Sequence, residues 1–376
     1  MSQTVKKEIR TDVLVTGSGL EGCIAAAELA KAGQRVLLIE QQGSLGEAST
    51  NGLETYLPLS ELSLGKAYAY GERILKEAGE AQQINGPFYD DQKLKTVLAS
   101  LLKEAGVTVL THIFVSEVIP GTEGKESLCR IECKTGPIDV YAKAIIDAGD
   151  YAATAAAAGF VSEEAADEEM PESLSRETQA EENREKEKTE KEKTEKEKTT
   201  AERVRKIRSS MKCSGISEQE LQKHAKPGYR KEGDYLIGEL DFPFAERKKC
   251  SGGKGEILYT SQSVHFCRNS RFGETIFTGI EAQTTALDPF VLSQIQAGMR
   301  EFSYDLRKEL REKEIFPQMT IIFVSPILNR YGVRKAQIPE TVGLFRQDTE
   351  EYSNAWAIET GIGLAERVKA YLGTQP

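Results

Sequence analysis

Six residues near the start of the chain, Gly17-Ser18-Gly19-Leu20-Glu21-Gly22, narrow the choice of fold more than any other feature. They fit G-x-G-x-x-G and follow the apolar run Asp12 to Thr16, which reads as a strand. They open a helix from Cys23 to Ala32, rich in small residues and Leu, that ends at Gly33, and a second strand follows from Arg35 to Glu40. Residues 11–40 are therefore expected to form one βαβ unit. In such a turn the first glycine permits the tight bend, the second lets the backbone approach a pyrophosphate, and the third lets helix and strand close together. The helix N-terminus then offers free N–H groups and a positive dipole end to the anion. Glu40 stands 18 residues after Gly22, at the end of the second strand, where a carboxylate accepts hydrogen bonds from a ribose diol. It would repel a 2′-phosphate, and the neighbouring Gln41 and Gln42 supply no Arg, so the pattern argues against NADP.

Further along, Gln92 to Ala105 has helical spacing (Leu94, Val97, Leu98, Leu101, Leu102) and stops at Gly106, before a strand pattern from Val107 to Val118. Ile131 to Cys133 and Ile138 to Ile146 supply more strand, closing on Asp147-Ala148-Gly149-Asp150, and Tyr151 to Ala158 reads as a helix ended by Gly159. Helices after parallel strands imply an α/β sheet covered on both faces. From Ser162 to Ser210 the composition changes, with EKEKT recurring three times between Glu185 and Thr199. A five-residue period cannot keep one face of a 3.6-residue helix apolar. Residues 162–212 are expected to be a charged low-complexity insertion, disordered or a solvated helix held by i,i+4 Glu–Lys pairs. Beyond it, Asp234 to Phe244, Gly255 to Phe266 and Glu274 to Glu281 look like strands of a mainly antiparallel sheet. A long amphipathic helix from Phe290 to Lys313, a strand pattern from Met319 to Val324 and a final helix from Ala355 to Leu372 complete the reading.

A chain of 376 residues with 39% hydrophobic content is long enough for two lobes. Its net charge of −10 disfavours nucleic acid as a general partner. The N-terminus shows no apolar signal core and no run of 18 apolar residues occurs, so a soluble cytoplasmic protein without membrane partner is expected. Cys23, Cys129, Cys133, Cys213, Cys250 and Cys267 are scattered, which suits reduced thiols rather than a disulfide framework, and no metal site is expected. Cys129 and Cys133 read as a structural pair on one face of a strand, and Cys23 as a small packing residue at the start of its helix.

At this point the sequence resembles the FAD-dependent oxidoreductases with a glutathione-reductase-like flavin domain. The segments that carry the resemblance are DVLVTGSGLEGCIAAAELAKAGQRVLLIE, LKTVLASLLKEAGVTVLTHIFVSEVI, AKAIIDAGD, and GLFRQD with AIETGIGLAERVKAYL. It implies an α/β fold: a discontinuous Rossmann-like FAD-binding domain (8–160 and 336–376), the charged insertion, and a second, mainly antiparallel α+β substrate or cap domain (225–335). It also implies that Val115 touches adenine through its backbone, that Ala148 and Gly149 border the cofactor, and that Asp348 hydrogen-bonds the ribityl or phosphate portion. Gly361, Ile362 and Gly363 would approach the flavin ring, and the small-residue GIGLA pattern independently suits a close backbone approach to a ligand. Two positions depart from the family pattern: IDAGD is one residue shorter than usual, and Gln347 replaces a Gly. The implied function is flavin-mediated hydride or electron transfer to or from a small organic substrate. The alternatives are a degenerate, non-catalytic flavin-fold protein and an NAD-dependent dehydrogenase. Flavin chemistry resides mainly in the cofactor. Arg334, in a G-V-R segment that matches the family, is the candidate catalytic residue through a substrate carboxylate or the charge of reduced flavin, while His265 and Tyr331 are candidates for proton transfer.

Overall fold

The computed structural model describes residues 7–121, 125–149, 152–160, 205–242, 244–249, 256–284, 289–327, 329–330, 336, 338–348 and 352–374. Strand β1 (Lys7–Thr16), helix α1 (Leu20–Lys31) and strand β2 (Val36–Glu40) form the expected βαβ unit, with β1 and β2 parallel in the register Val13 to Val36 through Thr16 to Ile39. All five residues of β2 are buried, as a parallel strand covered on both faces requires. Helix α2 (Lys66–Ile74) and helix α3 (Asp91–Ala105) follow. Asp90 caps α3 by accepting from the Lys93 N–H, Gly106 ends it at φ +84, and its buried stripe is the one the sequence spacing gives: Leu94, Val97, Leu98, Leu101 and Leu102.

The expected strand from Val107 to Val118 is two strands, β3 (Thr108–Thr111) and β4 (Phe114–Ile119), because the chain turns at His112 with φ +59. Strand β5 (Ser127–Glu132) pairs antiparallel with β4 and with β6 (Ile138–Asp147), and β6 runs parallel to β1. A short helix, α4 (Ala153–Ala157), follows. Near the end of the chain, β16 (Leu344–Phe345) pairs with β6, and helix α7 (Asn354–Gly373) packs against α1. The first sheet thus has the order β3-β2-β1-β6-β5-β4 with β16 beside β6. One core lies between this sheet and helices α1, α3 and α7, and a second lies on the opposite face.

The second sheet is built from β7 (Arg205–Ser214), β8 (Arg230–Glu232), β9 (Tyr235–Leu240), β10 (Ala245–Lys249), β11 (Glu256–Thr260), β12 (Val264–Asn269), β13 (Thr275–Thr284), β14 (Thr320–Val324) and β15 (Asn329–Arg330). Its ladders are antiparallel, as expected. The expected strand from Gly255 to Phe266 divides into β11 and β12. Helix α5 (Glu218–His224) starts on a Ser217–Glu220 capping box. Helix α6 (Pro289–Glu312) lays Val291, Ile295, Met299, Phe302, Leu306 and Leu310 onto one face of the sheet.

One boundary must be corrected. The insertion was expected to run to residue 212, but β7 begins at Arg205 and pairs with β13, β14 and β15 in the middle of the second sheet. Its Ile207, Ser209, Met211 and Cys213 are buried, and this period-two pattern is masked in the sequence by the charged run before it. The second lobe accordingly starts before residue 225; the EKEKT repeats lie outside the described residues. The lobes meet where the segment before α3 reaches the second sheet: the Phe88 and Tyr235 rings stack at 3.8 Å, and Asp234 accepts from the Asn85 side chain at 2.9 Å.

Candidate functional site

The Gly-rich turn sits between β1 and α1 at the C-terminal ends of the parallel strands, where open α/β sheets bind ligands. Gly17 has φ +96, and a Cβ there would lie 2.4 Å from the Gly149 N atom. A Cβ on Gly22 would lie 2.3 Å from the Gly17 carbonyl oxygen and 3.1 Å from Ala148 Cβ. The structure thus brings together Gly17, Gly22, Ala148 and Gly149, four of the expected positions, and the contact between them excludes side chains at both glycines. Gly19 is the N-cap of α1; a Cβ there meets only the flexible end of Glu21, at 2.7 Å. The Leu20 side chain is fully buried in the core, so only its backbone faces the turn.

Glu40 is buried, and both of its carboxylate oxygens accept backbone N–H groups: Oε2 from Ser18 at 2.9 Å and Oε1 from Gln42 at 2.6 Å. Each oxygen keeps a lone pair for a ribose hydroxyl. Gln41 is exposed. The Ser18 N–H also reaches Glu47 Oε1 at 2.9 Å. Ser18 is completely buried, and its hydroxyl has no hydrogen-bond partner among the described residues. An orphaned hydroxyl beside a helix N-terminus and a backbone cradle that admits no Cβ fit the phosphate portion of a dinucleotide such as FAD. Cys23 donates its thiol to the Ser18 carbonyl at 3.2 Å, and burial pushes its pKa far up, with Glu21, Glu47 and Glu40 adding to the shift; it packs, as expected, and is not a redox thiol.

The other expected positions are Val115, Asp348, Gly361 and Ile362. Val115 has its backbone in the β4–β5 ladder opposite Ile131, and the residues that cross the end of β2 are His112 and Ile113, whose N–H groups donate to Gln42 and Glu40 carbonyls. The Asp348 carboxylate is held by Arg346 at 2.6 Å and by the Ala336 N–H at 3.3 Å. Arg346, nearly buried, also donates to the Gly149 carbonyl at 2.9 Å and ion-pairs with Asp147 at 3.3 Å. At Gly361 a Cβ would meet the Glu21 carbonyl at 2.6 Å and Ile24 Cβ at 3.0 Å, so its small size serves the crossing of α7 over α1. Ile362 packs on the same core. Arg334 and Tyr331 lie outside the described residues.

A second feature escaped the sequence reading. A cavity of about 140 Å³ lies between residues 53–56 and the face of the second sheet opposite α6, where Ile237, Cys267 and Ile276 stand in register on neighbouring strands. Glu54, Tyr56, Arg230, His265 and Thr278 contribute its polar wall. His265, a sequence candidate for proton transfer, is exposed on β12 and lines this cavity. The backbone carrying Glu54 is anchored from two sides: its carbonyl accepts from the Tyr89 hydroxyl and the Asn354 carboxamide, both at 2.7 Å. Ser49 in turn donates to Asn354 Oδ1 at 2.7 Å, which ties the loop to the first residue of α7. Burial pushes the Glu54 carboxyl up to about 7, partly opposed by the charge of Arg208. A carboxyl that is half-ionised near neutral pH can either accept or donate a proton. Burial also pushes the neighbouring Cys267 thiol far up, which makes it inert. Nothing in the spacing of Glu54 marked it, because its environment is made by contacts distant in sequence.

A two-sheet molecule with a dinucleotide turn on a parallel sheet and a cavity against an antiparallel one belongs to the flavin-dependent class of oxidoreductases. The family model described as FAD dependent oxidoreductase matches residues 12–253, and the chain belongs to that family, whose cofactor is FAD. A thiamine thiazole synthase from Aeropyrum pernix is 34% identical over 119 residues, which is 31% of this chain and 42% of that protein. Among solved structures, an anhydrotetracycline hydroxylase from Streptomyces rimosus aligns over 98% of this chain and 64% of its own with a TM-score of 0.53 and 12% identity. The p-nitrophenol 4-monooxygenase of Pseudomonas putida aligns over 98% of this chain and 81% of its own with a TM-score of 0.54 and 11% identity, a likeness of fold. The chain spans less than two thirds of the first two of these proteins.

Proposed function

We propose that this chain holds FAD along the Gly-rich turn and the loop of residues 46–56, and transfers hydride or electrons between it and a small organic substrate in the cavity beside Glu54. The support is the loop itself. It is fixed on the turn at one end, where the Gly46 N–H donates to the Ser18 carbonyl at 2.8 Å, and its other end forms the cavity wall at Leu53 to Tyr56. A cofactor lying along that loop would span the distance from the turn to the cavity. Bound there, FAD supplies the ring that takes up or gives up electrons. The chain's own residues bind and manage protons. Tyr56, Phe88 and Phe266 offer apolar walls to a flat or aliphatic substrate, Arg230 offers a cation, and Glu54 exchanges a proton with it. The buried setting of Glu40 fits a ribose diol.

The test is direct. Mass spectrometry of the small molecule released on denaturation should identify FAD, and the folded protein should show an oxidised-flavin spectrum that dithionite bleaches. A chain that neither carries nor takes up flavin would overturn the proposal.

A further inference from the structure

We infer that Glu47 is an internal anion seated where the cofactor's pyrophosphate must bind, and that its displacement sets how tightly this chain holds FAD. The inference rests on the reading of the Gly-rich turn as the FAD site. Two observations carry it. The first is the contact: Glu47 Oε1 accepts the Ser18 N–H at 2.9 Å, a backbone donor of the turn that it shares with Glu40 Oε2, also at 2.9 Å, so two carboxylates crowd one N–H of a turn built to receive an anion. Glu47 is 8% exposed, so this carboxylate is tucked into the turn rather than left in solvent. The second is the backbone: Glu47 has φ +37, a left-handed conformation that favours glycine and that side chains rarely adopt. Its conformation is held by its own loop, in which the Gly52 N–H donates to the Glu47 carbonyl at 2.9 Å and the Gly46 N–H to the Ser18 carbonyl at 2.8 Å. A residue kept in a strained backbone state with its charge aimed at a functional donor is more than a tolerated surface substitution.

The surrounding field points the same way. Glu21 in the first turn of α1 and Glu40 at the end of β2 are the other carboxylates whose charge converges with that of Glu47 on the Cys23 thiol. Glu40 has a ribose diol to accept from, but Glu47 would face the two negative charges of a pyrophosphate. Loading FAD therefore requires the Glu47 side chain to leave the Ser18 N–H or to be neutralised. Until it does, the Ser18 N–H of the turn is shared between the chain's own Glu40 and Glu47 carboxylates.

The experiment is a fluorescence titration of flavin-free protein with FAD, comparing the wild-type chain with Glu47→Gln and Glu47→Gly at low and high salt. Glu47→Gln keeps the shape and the acceptor but removes the charge; Glu47→Gly also suits the left-handed backbone. Both variants should bind FAD at least tenfold more tightly than the wild type. Because the Glu47 carboxylate is buried, salt screens it little, so the difference between the wild type and the variants should persist at high salt. Melting curves of the flavin-free proteins verify that each variant is folded. Equal or weaker FAD binding by both folded variants overturns the role of Glu47 while leaving the FAD reading standing. Absence of FAD binding by all three proteins overturns both.

Discussion

Lys212 of β7 and Asp91 at the start of α3 form an ion pair that joins the two lobes, with side chains 13% and 4% exposed. Glu274 adds a second, longer contact to Lys212 at 3.8 Å. Removing one partner of such a pair leaves the other charge buried without compensation, which costs far more than the pair itself contributes. Lys212→Met should destabilise the protein by about 3–5 kcal/mol. Adding Asp91→Asn should recover most of the loss, as read by urea unfolding of the single and double variants. An unchanged midpoint in Lys212→Met would show that the contact is not closed in solution.

That same lysine belongs to the strand the sequence hid. The alternation Ile207, Ser209, Met211, Cys213 is a legible strand pattern, but it follows a long charged run without a turn residue between them, and composition alone places it inside the insertion. The consequence is a sharp boundary. Replacing residues 163–203 by a short Gly/Ser linker should leave the melting temperature nearly unchanged. Extending the replacement to residue 208 removes the part of β7 that pairs with β15 and with the end of β13, and should give insoluble or unfolded protein. Equal melting of both variants by circular dichroism would show that the β15 edge contributes nothing.

Glu54 makes the stability of this protein depend on pH in a predictable direction. Its carboxyl titrates at 4.5 when unperturbed and is pushed up to about 7 in the fold. Between these values the unfolded chain gives up the proton that the folded one retains, so stability falls as pH rises from about 4.5 to about 7 and is flat in this respect above. Glu54→Gln should remove that slope and be more stable than the wild type at pH 8, measured by thermal melts across pH. The same variant should lose the ionisation near pH 7 from the rate profile, provided Glu54 handles the substrate proton. A stability slope identical in both proteins would place the titration elsewhere.

The βαβ unit, the α3 stripe and the antiparallel character of the second sheet were all legible, because each depends on local periodicity and turn residues. The cavity was not, since Glu54, His265 and Thr278 meet only through the register of β12 on β13 and the anchoring of a loop by Asn354, 300 residues away. Gly361 shows the intermediate case. Its pattern announces a close approach, and the structure shows one to the backbone of α1.

Substitution separates the glycines that the fold needs from Gly19, the one that the proposed FAD site needs. Gly17→Ala puts a Cβ 2.4 Å from the Gly149 backbone in a left-handed conformation, and should cost at least about 1–3 kcal/mol from strain alone. Gly361→Ala forces α7 away from the Glu21 carbonyl and should cost about 1–3 kcal/mol by overpacking. Gly19 differs, because the nearest atoms to a Cβ there belong to the far end of the Glu21 side chain. Gly19→Val should melt close to the wild type yet retain no FAD, since its side chain would fill the space through which the backbone approaches the pyrophosphate. Circular dichroism reads the first half and flavin absorbance at purification reads the second. Full flavin occupancy in Gly19→Val would remove the turn from the cofactor site, whereas a large loss of melting temperature would move Gly19 into the group that the fold itself requires.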